Sequence, residues 1–305
     1  MFLPMNFLNP DILASFHRDD VRAHIRQKGH ILNVTGFLVS DDPACGTYAE
    51  YTRSSCESVG VRFKMVTATQ ADVARLIQAA NADAGVHGII VYYPVFGDSR
   101  DAGIKDQVAP HKDVEGLSAY WMRKLYANER FDDPLHLHKC LLPCTPLAVL
   151  KLLEETEAHS ETGLPFGGQT VSIFNRSDVV GKPLAHMLAN DGALVYSFDL
   201  SGGVAIEKDA KSANPISRAQ ALKESGVVIT AVPTRNFEKI RADELRADAV
   251  CINVASIQNF EEDAKAKAGL YIPRVGPVTV AMCLRNALRL YEDHHLPTGP
   301  GHAAL

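Results

Sequence analysis

"QTVSIFNRSDVVGKPLAHMLANDGALVYSFDL" (169–200) is the stretch whose reading decides the fold. "QTVSIFN" (169–175) is a short apolar run rich in β-formers. "KPLAHMLAND" (182–191) carries apolar residues at helical spacing, and "GALVYSFDL" (192–200) is β-rich again. Strand, helix and strand in so short a span form one βαβ unit, and its two strands must run parallel. In an open parallel sheet, ligands sit beyond the carboxyl ends of the strands. The turn "NRSDVVG" (175–181) lies at such an end. It lacks the G-x-G-x-x-G pattern of many dinucleotide sites. A helix starting near residue 180 nevertheless presents free backbone N–H groups, which attract phosphate without three glycines. Ser177 can donate a hydrogen bond, Arg176 can pair with an anion, and Gly181 lets the backbone approach closely. On spacing alone a plain strand–helix connection reads equally well. Asp199, at the carboxyl tip of the next strand, shifts the balance. A carboxylate there accepts hydrogen bonds from the adenosine ribose hydroxyls of NAD and repels the extra phosphate of NADP. A turn-capping aspartate is the plainer alternative.

Outward from this unit the rhythm continues. "GVVITAVP" (226–233) and "AVCINVAS" (249–256) are further strands, as a doubly wound nucleotide domain requires. The first half has a similar beat: strand 30–40, helix 47–60, strand 61–67, helix 69–83 behind a good cap, and the buried strand "VHGIIVYYPVF" (86–96). This β-α-β-α-β order implies a second parallel sheet. "PLAVLKLLEETEAH" (146–159) reads as a long helix leading into the second half, and 279–294 as a final amphipathic helix. The tail "LPTGPGHAAL" (296–305) reads as disordered.

Composition excludes several classes. The 305 residues suffice for two domains, and 46% hydrophobic content suits a large core. A net charge of −5 with both signs interspersed argues against a nucleic-acid or membrane-surface partner. No apolar run is long enough to span a bilayer. The N-terminus, with Pro4, Pro10 and Asp11 and no charged n-region, makes a poor signal peptide. The six cysteines form no C-x-x-C pair and read as reduced thiols of a cytoplasmic protein. "HLH" (136–138) offers two histidines without a partner cluster and reads as a solvated loop, so no metal is expected there.

Several stretches occur together and in order: "YAEYT" (48–52), "VHGIIVYYPV" (86–95), "KDVEGL" (112–117), "LPCTPLAV" (142–149), "NRSDVVGKPLA" (175–185) and "GPVTVAM" (276–282). On these the chain resembles the methylenetetrahydrofolate dehydrogenase/cyclohydrolase family, and within it the monofunctional NAD-dependent branch. The match runs from about residue 30 to 290. The resemblance implies two α/β domains with a cleft between them, the second a Rossmann-like doubly wound dinucleotide-binding domain. Residues 1–150 plus 280–305 would form a folate-binding catalytic domain, and 151–279 the NAD-binding domain. Tyr48 would stack on the aromatic part of a tetrahydrofolate derivative, and Glu115 would contact the pterin ring. Tyr92, Pro277 and Thr279 would complete the substrate side, the "GPVT" loop (276–279) reaching toward the folate. Asn175, Arg176, Ser177, Val180, Gly181, Asp199, Val232 and Pro233 would hold NAD. A homodimer is implied as well.

The departures from the family pattern carry the finer expectation. Bifunctional members have a lysine one helical turn after the tyrosine, where this chain has Thr52, and a glutamine where it has Tyr92. Those groups serve hydrolysis, in which water adds to a methenyl carbon and protons must move. A threonine has no useful pKa near neutrality. Dehydrogenation asks less: hydride leaves the one-carbon bridge, the folate nitrogens delocalise the cation, and no proton is abstracted in that step. Losing the lysine and glutamine at the catalytic positions 52 and 92 can therefore silence hydrolysis and spare hydride transfer. Two alternatives stand beside this. Arg176 matches an arginine that holds the 2′-phosphate in NADP-dependent members, which keeps a bifunctional NADP enzyme open. The "PRVGPVT" loop (273–279) is shorter than the family's glycine-rich version, which leaves room for a catalytically silent folate- or nucleotide-binding protein.

Overall fold

A computed structural model describes residues 8–41, 43–207 and 214–296. The expected disordered tail falls outside them except for Leu296, as does the start of the N-terminus.

The chain opens with α1 (Pro10–Lys28), β1 (Asn33–Leu38), α2 (Pro43–Val59), β2 (Arg62–Thr67), α3 (Val73–Ala82), β3 (Gly88–Tyr92), α4 (Arg100–Lys105), a 3-10 turn (Pro110–Lys112) and α5 (Ala119–Tyr126). It continues with α6 (Cys144–Glu154), β4 (Thr170–Phe174), α7 (Gly181–Asn190), β5 (Leu194–Asp199), β6 (Gly202–Ile206), β7 (Asn214–Ile216), α8 (Arg218–Glu224), β8 (Val227–Thr230), β9 (Val250–Asn253), α9 (Glu262–Lys267), β10 (Leu270–Ile272) and α10 (Gly276–His294). Two compact units result. One contains Ser15–Lys124, Glu129–Cys144 and the chain from Val280; the other is mainly Thr145–Thr279.

The first unit holds a parallel sheet in the order β2-β1-β3, with Gly36 opposite both Met65 and Ile90. Strand β3, "GIIVY", is legible in sequence because it is buried at every position, as a strand covered on both faces must be. Edge strand β2 alternates between exposed and half-buried positions instead. Phe37, Ile77, Ile89 and Val91 pack together between sheet and helices. The helix expected from 69 starts later, at Val73. Thr69 does engage Asp72, whose backbone N–H donates to the threonine hydroxyl, but this makes a turn ahead of the helix.

The second unit holds a seven-stranded sheet, β10-β9-β8-β4-β5-β6-β7. Strands β10 to β5 run parallel, which bears out the doubly wound reading; β6 and β7 add an antiparallel edge that the βα rhythm did not announce. Phe174 and Phe198 stack on one face, ring centroids 4.6 Å apart, within an apolar cluster that includes Leu222, Val228 and Phe260. The helix expected over 146–159 ends at Glu154.

α1 was not anticipated, although its signals are present. Asn9 accepts a bond from the Asp11 N–H, Pro10 opens the helix, and Arg26 and Lys28 lie in the last turn. No described helix is long and apolar enough to cross a membrane. All six cysteines are free thiols, five of them buried.

Candidate active site

The turn after β4 is closed by its own side chains. Asn175 Oδ1 accepts from the Ser177 N–H at 2.8 Å and its hydroxyl at 2.6 Å, while Asn175 Nδ2 donates to the Ala231 carbonyl at 2.8 Å. The Val180 N–H donates to Ser177 Oγ at 3.2 Å, and the Lys182 N–H to the Ser177 carbonyl at 3.0 Å. The turn therefore enters α7 with its geometry fixed. Gly181 is buried, and a Cβ built on it would lie 1.9 Å from the Asn175 carbonyl oxygen. The first residue of α7 thus packs directly on the backbone of the turn that precedes it.

Arg176 and Asp199 read from sequence as opposing signals, yet they form one ion pair. Arg176 Nη1 donates to Asp199 Oδ2 at 2.7 Å. Its Nη2 donates to the carbonyls of Ser197 and Gly202, and its Nε to the Ser197 hydroxyl at 3.3 Å. The guanidinium is thus laid along the tip of β5 rather than held out toward an anion. Asp199 Oδ1 accepts from the Ser201 hydroxyl and N–H at 2.6 and 2.8 Å. These Ser201 bonds and the Arg176 charge hold its carboxyl below the usual range. Asp199 remains about one-third exposed at this tip and can still meet a ligand.

Sequence reasoning missed the polar group that shapes the neighbouring strand ends. Asn259, 1% exposed, accepts from the Val232 N–H and donates to the Val232 carbonyl, both at 3.1 Å. Its own N–H donates to Asn253 Oδ1 at 2.9 Å, and Asn253 Nδ2 donates to the Ala255 carbonyl at 2.7 Å. This buried pair fixes Val232 and Pro233. Asparagines beyond strand ends read as ordinary loop formers, so no local signal distinguished them.

In the first unit, Tyr48 on α2, Tyr92 at the end of β3 and Glu115 in the loop after the 3-10 turn come together. Tyr48 and Tyr92 meet edge to face, ring centroids 6.0 Å apart. Thr52, one turn after Tyr48, is 1% exposed and donates its hydroxyl to the Tyr48 carbonyl at 2.9 Å. The Tyr92 hydroxyl is buried without a hydrogen bond of good geometry. Burial pushes both phenols well up from their ordinary value. Glu115 Oε2 accepts from the Val91 N–H at 3.2 Å. Burial, then the negative charge of Asp113, push its carboxyl up to about 8; the Val91 N–H opposes this only in part. Asp113 is pushed up to about 6 by burial against the N–H groups of Ser118 and Gly116 that bond it.

Two more residues frame this cluster and had no sequence signal. Lys112 is buried and donates to the carbonyls of Ala80, Asn81 and Asp83 at 3.1, 2.9 and 2.7 Å, capping the C-terminus of α3. All three of its N–H donors are thereby used on backbone carbonyls. Asn286 on α10 donates to the carbonyls of Val114 and Leu142 at 3.0 and 3.1 Å and so binds both loops that flank Glu115. Pro277 and Thr279 stand in the first turn of α10 rather than in the expected loop. The Thr279 N–H and hydroxyl both donate to the Val275 carbonyl, at 3.0 and 3.3 Å.

A sheet with ligand-facing turns at its carboxyl edge and a second α/β unit carrying a half-buried aromatic and acidic cluster define a two-domain nucleotide-dependent class. Known proteins make this specific. The model of the tetrahydrofolate dehydrogenase/cyclohydrolase catalytic domain matches residues 8–115, and that of the NAD(P)-binding domain matches residues 143–295. The chain belongs to this family. It is 38% identical over 291 residues to the methylenetetrahydrofolate dehydrogenase [NAD(+)] of Dictyostelium discoideum, covering 92% of each chain. Its identity to the Saccharomyces cerevisiae protein of that name is 40% over 280 residues, covering 86% of this chain and 87% of the other. The solved structure of the S. cerevisiae NAD-dependent 5,10-methylenetetrahydrofolate dehydrogenase superposes with a TM-score of 0.89 at 34% identity, covering 97% of this chain and 100% of that one.

Proposed function

We propose that the protein oxidises 5,10-methylenetetrahydrofolate to the 5,10-methenyl form by passing hydride to NAD, and that it does not hydrolyse the product. Family membership and similarity to NAD-dependent dehydrogenases support the folate and NAD chemistry. The observation that carries the finer reading is Thr52. At the position of the lysine expected in bifunctional members stands a hydroxyl committed to its own helix's backbone. Tyr92 beside it is a phenol that burial keeps protonated. Neither can relay a proton near neutrality.

Hydride transfer needs mainly orientation. In this reading residues 1–150 with 280–305 hold the folate and 151–279 hold NAD. Tyr48 stacks on the folate ring and Tyr92 braces Tyr48. Glu115 accepts the pterin N–H donors and gives up its proton as they bind. Pro277 and Thr279 contribute shape. Asp199 receives the adenosine ribose hydroxyls, and Arg176 orients Asp199 instead of binding a 2′-phosphate. The turn Asn175–Gly181, with Ser177 and Val180, carries the pyrophosphate beside Val232 and Pro233. The protein works as a cytoplasmic homodimer in one-carbon metabolism that feeds purine biosynthesis.

The test measures NADH or NADPH formation with methylenetetrahydrofolate and each nucleotide in parallel, then follows decay of the methenyl product against the uncatalysed rate. NAD-dependent turnover with background decay is expected. Equal use of NADP, or accelerated decay, overturns the corresponding half of the reading.

A further inference from the structure

The segment that sequence reading left without a role, α1 and the turn after it, meets the last turn of α10 in a second cluster of chemically active side chains. His24 Nε2 lies 2.6 Å from Glu292 Oε1, and His30 Nε2 lies 3.1 Å from the same oxygen. The three ligand atoms all lie within 4.8 Å of one another. A tetrahedral ion with bonds of about 2.0–2.2 Å separates its ligand atoms by roughly 3.3–3.5 Å, so small side-chain adjustments admit one.

The backbone holds these groups in place. Gly29 follows α1 with φ +67°, and the His30 N–H returns to the Ile25 carbonyl at 3.1 Å. This is a Schellman closure, and it folds His30 back beside His24, ring centroids 6.0 Å apart. The His30 side chain is only 9% exposed and packs on the Tyr291 ring at 5.1 Å. Glu292 projects from the same helical turn as Tyr291. His24 is 38% exposed and leaves the cluster open to solvent. Two imidazole nitrogens and one carboxylate oxygen gathered this closely are the donor set of a two-histidine, one-carboxylate site.

We infer that His24, His30 and Glu292 form a binding site for a divalent first-row transition ion of the zinc type, which clips the end of α1 to the end of α10. Imidazole and carboxylate donors favour such an ion over magnesium or calcium, which take oxygen ligands. Binding places the Nε2 lone pairs on the metal. A neutral imidazole then carries its proton on Nδ1, and a protonated one releases a proton to solvent.

The experiment uses the full-length chain, purified without a histidine tag and stripped with chelator. Zn²⁺ is titrated by calorimetry, and Co²⁺ is added in parallel to read its visible ligand-field bands. One Zn²⁺ per chain is expected. Glu292→Gln, which preserves shape, and His24→Ala, at the most open position, should each weaken it by tenfold or more and reduce the Co²⁺ bands. Magnesium in excess should not compete. Zn²⁺ should raise the melting temperature of the wild type and not of either variant. Wild-type protein that binds no Zn²⁺, or folded variants that bind it as well as wild type does, would overturn the assignment. None of these readouts depends on dehydrogenase turnover.

Discussion

The turn after β4 and the cluster around Tyr48 treat their polar groups in opposite ways. At the turn nearly every side chain is already bonded: Asn175 to Ser177 and Ala231, Arg176 to Asp199 and the end of β5. Around Tyr48 the groups are left incomplete. The Tyr92 hydroxyl has no good partner, and Glu115 retains a proton to about pH 8. The first region is a turn whose shape is fixed by its own hydrogen bonds. The second is a half-buried surface with an acid whose bonding capacity is only partly used. Preorganisation suits a phosphate-bearing cofactor, and unmet polar capacity suits a heterocycle that must be recognised edge by edge.

The comparison breaks most sharply at Gly181. A side chain there collides with the Asn175 carbonyl, so Gly181→Val should cost about 1–3 kcal/mol or more of stability as well as NAD binding. Thermal melting and NAD titration together should show a loss in both. A variant with unchanged melting and NAD affinity would show that the turn is not rigid.

The next effect is on nucleotide choice. Asp199→Ser removes the carboxylate proposed to receive the ribose hydroxyls and deprives Arg176 of its ion-pair partner. The ratio of kcat/KM for NAD over NADP should fall by about tenfold, equivalent to about 1.4 kcal/mol. An unchanged ratio would remove Asp199 from selection.

A third expectation concerns Glu115 and pH. Its carboxyl moves from an ordinary 4.5 to about 8 on folding. Between those values the folded protein holds a proton that the unfolded chain has lost, so stability falls as pH rises through this window and levels off above it. Asp113 behaves likewise between 3.8 and about 6. Between pH 6 and 8 the falling contribution of Glu115 is set against a rising one from His87, His111, His186, His294 and His295, which burial makes less basic, so Glu115→Gln should tilt the pH profile of the melting temperature upward there while weakening folate binding. A variant with the wild-type slope would show that the acid is ionised throughout.

The smallest expected effect is at Thr52. Thr52→Lys alone should leave methenyl decay at background, because the ammonium would lack an orienting glutamine and catalytic groups that act as a unit are not additive. Thr52→Lys with Tyr92→Gln is the variant with room to gain hydrolysis. Strong hydrolysis from the single change would show that Tyr92 is no obstacle.

Much of this was legible in the chain. The buried runs of β3, β4, β8 and β9, set among helical periodicities, specify parallel sheets because a strand covered on both faces is mostly apolar. The family motifs brought Tyr48, Tyr92, Glu115, the turn 175–181 and Asp199 into view. Less visible was what each polar group would be used for. Arg176 read as a group able to pair with an anion and "GPVT" as a loop; Arg176 pairs with Asp199, and Pro277 and Thr279 begin a helix.

The sequence by itself determined the βα rhythm of both halves, the two-domain class, the family, and which residues were chemically able to serve. Periodicity and local turn chemistry report backbone state and burial, and these act over a few residues. The tertiary structure alone decided the pairings: Arg176 with Asp199, Lys112 with the end of α3, Asn286 with two distant loops, and His24 and His30 with Glu292. Those partners lie tens to hundreds of residues apart. Crossovers and helix packing bring them together, and no local periodicity records where a chain returns.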